Sequence, residues 1–245
     1  MLMRCILAEN RKLHGAVIWL VFLIVPMISA LYGTFNFLQN LGLLTFDWYN
    51  LWTQHTLFYT LFFFVPMVGV YAAYLWRLEH LGHNWNLIMS APVPRVYVFL
   101  AKFLVVIKMT LLTQGWVFLL YLLAGKLWAR LPGWPPVQII VWLLRGVLGS
   151  LGIIAFELLL AMVIRSFAVP VLVGLAGGVS GMLAASKGVS LLWPFALMQA
   201  GMNANRKEDM LGGQFGSFVL ACLVWAGLFL GIAALLLRAR DVHSE

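Results

Sequence analysis

Stretches of this chain such as Trp19 to Leu31 and Leu57 to Tyr74 are apolar almost without interruption and around every face of a helix. Crossing the hydrocarbon of a bilayer takes roughly 20 mainly apolar residues, and only helices or closed barrels satisfy their backbone groups there. Barrel strands alternate faces over about ten residues; these runs do not alternate, so lipid-embedded helices are predicted. Composition agrees: 10% of the 245 residues are charged and 63% are hydrophobic, where a soluble domain has roughly a quarter charged. The fold class expected is an all-α integral membrane protein forming one transmembrane domain over residues 1–245.

About six spans are predicted, at Ala16–Leu38, Thr56–Trp76, Phe99–Leu123, Val137–Ile164, Ala168–Ser186 and Gly216–Leu237. The bulky run after Gly15, with no small-residue cleavage site behind it, reads as a retained first helix rather than a signal peptide. Six crossings return the chain to its starting side. Nine basic residues flank the spans on that side: Arg4, Arg11, Lys12, Arg77, Arg95, Lys102, Arg165, Arg238 and Arg240. Five lie in the other connections: Lys126, Arg130, Lys187, Arg206 and Lys207. The positive-inside rule then predicts cytoplasmic termini. Residues 39–55 contain no Lys or Arg but carry Trp48, Tyr49 and Trp52, and are expected to form an external segment at the lipid headgroups. Trp128 and Trp134, around a proline-rich stop, suggest a second such belt. Residues 187–213, with Trp193-Pro194 followed by a polar run, are expected to be external and to include a broken or re-entrant helix.

The formal charge of +8 is explained by basic residues at span ends; no basic stripe with interleaved aromatics marks a nucleic-acid surface. Cys5 and Cys222 lie near opposite ends of the chain, without metal or redox spacing. His80 and His83 beside Glu79 lack a third ligand at a telling distance, so no metal site is predicted. No nucleophile, base and orienting group assemble from the sequence, and no catalytic residue is assigned.

The connection between the second and third spans, residues 77–98, carries the most information. Arg77, Glu79, His80, Gly82 and His83 precede Trp85 and the apolar run Leu87-Ile88-Met89. Pro92 and Pro94 then stop any helix before Arg95, and Ala101-Lys102 follows in an apolar segment. An acidic residue after the second span, a Gly, an aromatic, a short apolar run and a Pro-x-x-Arg turn: this order resembles the permeases of ABC type-2 transporters, and most closely the lantibiotic-immunity and bacitracin-export group. Residues 1–15, with Glu9-Asn10-Arg11-Lys12 on an amphipathic segment, are similar to the helix that opens those permeases.

The resemblance implies a mechanism. Two permeases, identical or homologous, pair with two copies of an ATPase subunit that carry ATP and Mg. The connection between spans two and three forms a short cytoplasmic coupling helix that docks on the ATPase. Carried onto this chain, the docking residues are Glu79, Gly82, Trp85, Leu87, Ile88, Pro92 and Arg95, assisted by Glu9 and Lys12. Trp85 would fill a pocket while Glu79 and Arg95 sit at its rim; the alternative is that Trp85 anchors at the membrane surface and the charges are solvated. The chain lacks the phosphate loop Gly-x-x-x-x-Gly-Lys-Ser/Thr, so hydrolysis is assigned to a partner and no cofactor to this chain. An antimicrobial or other amphipathic peptide is the expected cargo, exported for self-immunity or resistance. Short loops and the resemblance point to a bacterial plasma membrane.

Glu157, Arg145 and Lys108 fall in or near spans, where charges are costly and are paired or face a cavity. Snorkelling accounts for Lys108 and Arg145, while the shorter Glu157 is a candidate for an internal polar contact. Gly174, Gly177, Gly178 and Gly181 produce overlapping small-residue spacings that admit a close helix neighbour. That neighbour lies either in the same chain or in a second permease, and the resemblance favours the second. Two rival functions stay open: a membrane enzyme acting on lipid without ATP, and a membrane sensor or scaffold that moves nothing.

Overall fold

Each long apolar run folds as a helix in the computed structural model, which describes residues 1–81 and 93–239. The short helix α1 (Leu2–Lys12) precedes α2 (Ile18–Gln39), α3 (Trp48–Phe58) and α4 (Phe64–His80). Next come α5 (Arg95–Leu123), α6 (Gln138–Gly149), α7 (Leu151–Val163), α8 (Ala168–Ser186), α9 (Pro194–Gly201) and α10 (Phe215–Ala239). Among the described residues six segments are long and apolar enough to cross a membrane: 18–39, 48–80, 95–128, 138–163, 168–186 and 215–238. No strand occurs among the described residues.

The second crossing differs most from expectation. It begins at Trp48, because α3, a widened turn at Tyr59–Phe63 and α4 run on as one rod of 33 residues. Trp48 and Trp52 are therefore buried, not arrayed at the lipid headgroups as expected. Their indole N–H groups explain why: Trp48 donates to Pro132 O at 2.9 Å and Trp52 to Met202 O at 2.9 Å, so internal carbonyls replace the interface. Trp128 and Trp134 remain exposed. Asp47 starts α3 by accepting the Asn50 N–H at 2.7 Å.

The widened turn immediately precedes Pro66, which has no N–H to continue the helical ladder. Two carbonyls there face neighbouring helices. Gln199 Nε2 donates to Thr60 O at 3.5 Å, and a Cβ on Gly178 would lie 2.3 Å from Leu61 O.

The fourth crossing is interrupted at Ser150, between α6 and α7. Beside it sits α9, a helix of 8 residues, all buried, with Pro194 in its first turn. It is wedged between α6 and α8. Glycines make room for it: a Cβ at Gly149 would be 2.5 Å from Leu197 O, and one at Gly181 would be 2.6 Å from Phe195 O. The main core is built by α4 against α7 and α8, with α10 covering α7.

One end of the bundle gathers α1, the end of α4, the start of α5 and the ends of α7 and α10. The Arg95 guanidinium donates to Leu237 O at 3.3 Å, and the His80 ring to Ala161 O at 3.1 Å. This is the face from which α1 enters; the loops around Asp47, Pro132 and Asp209 lie on the opposite face.

Candidate functional site: a buried ion cluster beside the second connection

Lys102 lies in the third turn of α5, and none of its surface is open to solvent. An ammonium so placed needs anions and acceptors around it, because desolvating a charge costs several kcal/mol. It finds them on two other elements. Nζ lies 2.8 Å from Glu9 Oε2 on α1 and 2.8 Å from Glu79 Oε1 at the end of α4. It also donates to Leu75 O at 3.0 Å and stands 4.9 Å from the centre of the Trp76 ring. Lys12 completes the cluster from α1, 2.6 Å from Glu9 Oε1 and bonded to Glu79 as well.

Two ammonium groups thus face two carboxylates, and the formal charges cancel. Burial by itself would lower the affinity of Lys12 for its proton. Attraction to Glu9 and the hydrogen bonds to Glu79 and Glu9 outweigh burial and raise its pKa above the ordinary lysine value. Withdrawing any one member would strand an opposite charge in a poorly solvated place. The cluster therefore ties α1, the end of α4 and the start of α5 into one unit. Glu79 precedes the 82–92 segment, and Arg95 and Lys102 follow it, so the cluster sits at the root of the second connection.

The structure brings together three expected docking residues, Glu9, Lys12 and Glu79, but not at a rim. Glu9 and Glu79 are buried, their carboxylates occupied by lysines of the same chain. Arg95, at the start of α5, turns instead toward α10, where it donates to Leu237 O. Gly82, Trp85, Leu87, Ile88 and Pro92 lie outside the described residues. By sequence Lys102 is one more basic residue flanking a span; the structure makes it the centre of the cluster. Its signal was a lysine in an apolar segment, a weak one while the carboxylates facing it are 23 and 93 residues away.

The intramembrane candidates separate. The Lys108 ammonium, on the outer surface of α5, donates to Asn10 Oδ1 of α1. Arg145 pairs with Asp209 at 2.9 Å on the opposite face, its guanidinium 5.3 Å from the Phe215 ring centre; Asp209 was not anticipated. Glu157 is fully buried in α7, and both its carboxyl oxygens lack a hydrogen-bond partner among the described residues. The four glycines of α8 have close neighbours within this chain. Gly174 meets Val65 and Pro66, Gly178 meets Leu61, and Gly177 and Gly181 meet Phe195. Among the described residues no group of three or more His, Cys, Asp or Glu could hold a metal ion.

A family model described as ABC-2 family transporter protein matches residues 5–181, a stretch that contains all four members of the ion cluster. No curated protein and no solved structure matches the chain.

Proposed function

Because this chain belongs to the ABC-2 family of transporter proteins, and so is a membrane subunit that works with an ATP-hydrolysing partner, we propose that the 77–98 connection receives the partner's movement and that the ion cluster passes it on. The observation that carries this reading is the Lys102 ammonium held by Glu79 on one side of the connection and by Glu9 of α1. A push on the connection reaches the base of α4, the base of α5 and α1 together. Bound ATP and Mg supply the energy on the partner; this chain contributes levers and a path through lipid. Docking is assigned to Gly82, Trp85, Leu87, Ile88 and Pro92, with Trp85 as the anchor that would fill a pocket on the partner. Glu9, Lys12, Glu79 and Lys102 transmit.

In this reading the connection and both termini face the cytoplasm of a bacterial cell, as the excess of basic residues on that side supports. Two copies of the chain, or one with a homologous permease, meet two ATPase subunits. The cargo is an amphipathic or antimicrobial peptide moved outward, in keeping with the likeness to lantibiotic-immunity and bacitracin-export permeases. The test is co-purification with the partner ATPase and measurement of substrate-stimulated hydrolysis. Trp85→Ala should lose the partner, whereas Glu79→Gln should keep the partner and lose stimulation. If Trp85→Ala and Glu79→Ala leave both properties intact, the coupling assignment is wrong. Lipid turnover by the purified chain without ATP would favour a membrane enzyme instead.

A further inference from the structure

Among the described residues the outer side of α1 has no partner, and its residues fall in a definite order around the helix. Successive residues turn by about 100°. Starting from Asn10, the order is Met3, Leu7, Arg11 and Arg4, and all four are exposed. Met3 and Leu7 keep 69% and 55% of their surface open, too much for two large apolar side chains in water. Arg4 and Arg11, two turns apart, lie almost on one line. The one acid of α1, Glu9, points the other way and is consumed by Lys12 and Lys102. The outward face is therefore apolar along one edge and purely cationic along the next.

The contact with α5 shows which edge faces the bilayer. Glu9 meets Lys102 and Asn10 meets Lys108. Lys108 lies six residues further along the span, about 9 Å deeper. The Asn10 side of α1 is therefore the deeper side, and Met3 and Leu7 follow it. Arg11 and Arg4 come next around the helix, on the shallower side. A helix that buries one edge in acyl chains and aligns cations beside it matches a monolayer bearing negative charge.

We infer that the outer face of α1 binds anionic phospholipid headgroups through Arg4 and Arg11, with Met3 and Leu7 inserted between the acyl chains. This needs only that the protein resides in a membrane, and it stands apart from the assignment of the coupling residues.

The experiment follows amide hydrogen exchange of α1 in the full-length chain, in nanodiscs of phosphatidylcholine with or without phosphatidylglycerol. Phosphatidylglycerol should slow exchange across α1, and each arginine should account for up to about five-fold of that slowing. The pair Arg4→Gln and Arg11→Gln should abolish the difference between the two lipids while exchange in α4 and α7 stays as it was. The pair Arg4→Lys and Arg11→Lys should restore it. Arg130→Gln with Arg206→Gln, on the opposite face, should leave it unchanged. The inference is overturned if phosphatidylglycerol does not slow α1, if the Gln pair keeps the slowing, or if the opposite-face pair removes it. It is also overturned if the Lys pair fails to restore it, or if the Gln pair releases the ATPase partner without altering the lipid effect, since the face would then belong to a protein.

Discussion

The ammonium of Lys102 lies 2.8 Å from a carboxylate oxygen of Glu9, 93 residues earlier in the chain, and both side chains are sealed from solvent. A contact of this kind joins the opening helix to the base of the third span within a single chain.

Replacing Lys102 with Met should destabilise the folded chain by about 3–5 kcal/mol, because Glu9 and Glu79 would be left buried with only Lys12 between them. Neutralising the carboxylates at the same time, as Glu9→Gln and Glu79→Gln, should recover most of that loss. Thermal unfolding of the single, double and triple variants in one detergent would show this non-additivity. Additive losses would mean that the four groups do not act as a unit.

Glu157→Met should leave the protein as stable or more stable, by about 1–3 kcal/mol, since a carboxyl whose oxygens have no partner among the described residues is replaced by an apolar side chain of similar length. Loss of stability on this change would show that the carboxyl has a favourable interaction. Paired measurements of the midpoint of unfolding and of substrate export separate the two roles: an export defect in a stable variant marks Glu157 as functional.

Gly178→Ala and Gly181→Ala should each cost about 1–3 kcal/mol or more, as the added methyl would meet backbone oxygens 2.3 Å and 2.6 Å away. Gly227→Ala and Gly231→Ala on α10 meet nothing within 4 Å and should be neutral or slightly stabilising. Unfolding midpoints with size-exclusion profiles decide the matter. If the α8 variants kept their stability and changed only the oligomeric state, the glycines would belong to an interface between subunits.

Asp47 provides a pH-dependent test. Burial pushes its carboxyl up, but hydrogen bonds from Thr45 and the Asn50 N–H, and the Lys207 charge, prevail and hold its pKa below the usual carboxylate value. A carboxyl so lowered contributes stability above its unfolded pKa of about 3.9 and loses it as the pH falls through the folded value. Asp47→Ala should therefore cost about 1 kcal/mol at neutral pH through loss of the helix cap. The gap between variant and wild-type unfolding midpoints should narrow in acid below the ordinary carboxylate range. A constant gap at every pH would assign the effect to packing.

Much of the architecture was legible in advance. The fifth span was predicted as Ala168–Ser186 and forms over those residues, and the sixth differs by one residue at each end. Both are set by the length of an apolar run, a local property. The second span was misjudged at its start because Trp48, Tyr49 and Trp52 in a segment without Lys or Arg suit a headgroup belt and a buried helix equally well. Only the carbonyls of Pro132 and Met202, more than eighty residues away, distinguish the two.

The sequence by itself determined that this chain lives in lipid, that it crosses as helices, roughly where each crossing lies, and that it lacks the loop that binds a nucleotide's phosphates. Hydrophobic length, helical periodicity and the need to satisfy every backbone group within the same segment decide those matters without reference to distant residues. Tertiary structure alone decided that Lys102 is a keystone and not a flanking charge, that Glu79 turns inward, and that the α8 glycines receive Val65, Leu61 and Phe195. The reason is physical: the environment of a charge or a missing side chain depends on which helix lies against it, and neighbours brought together by packing leave no periodic trace along the chain.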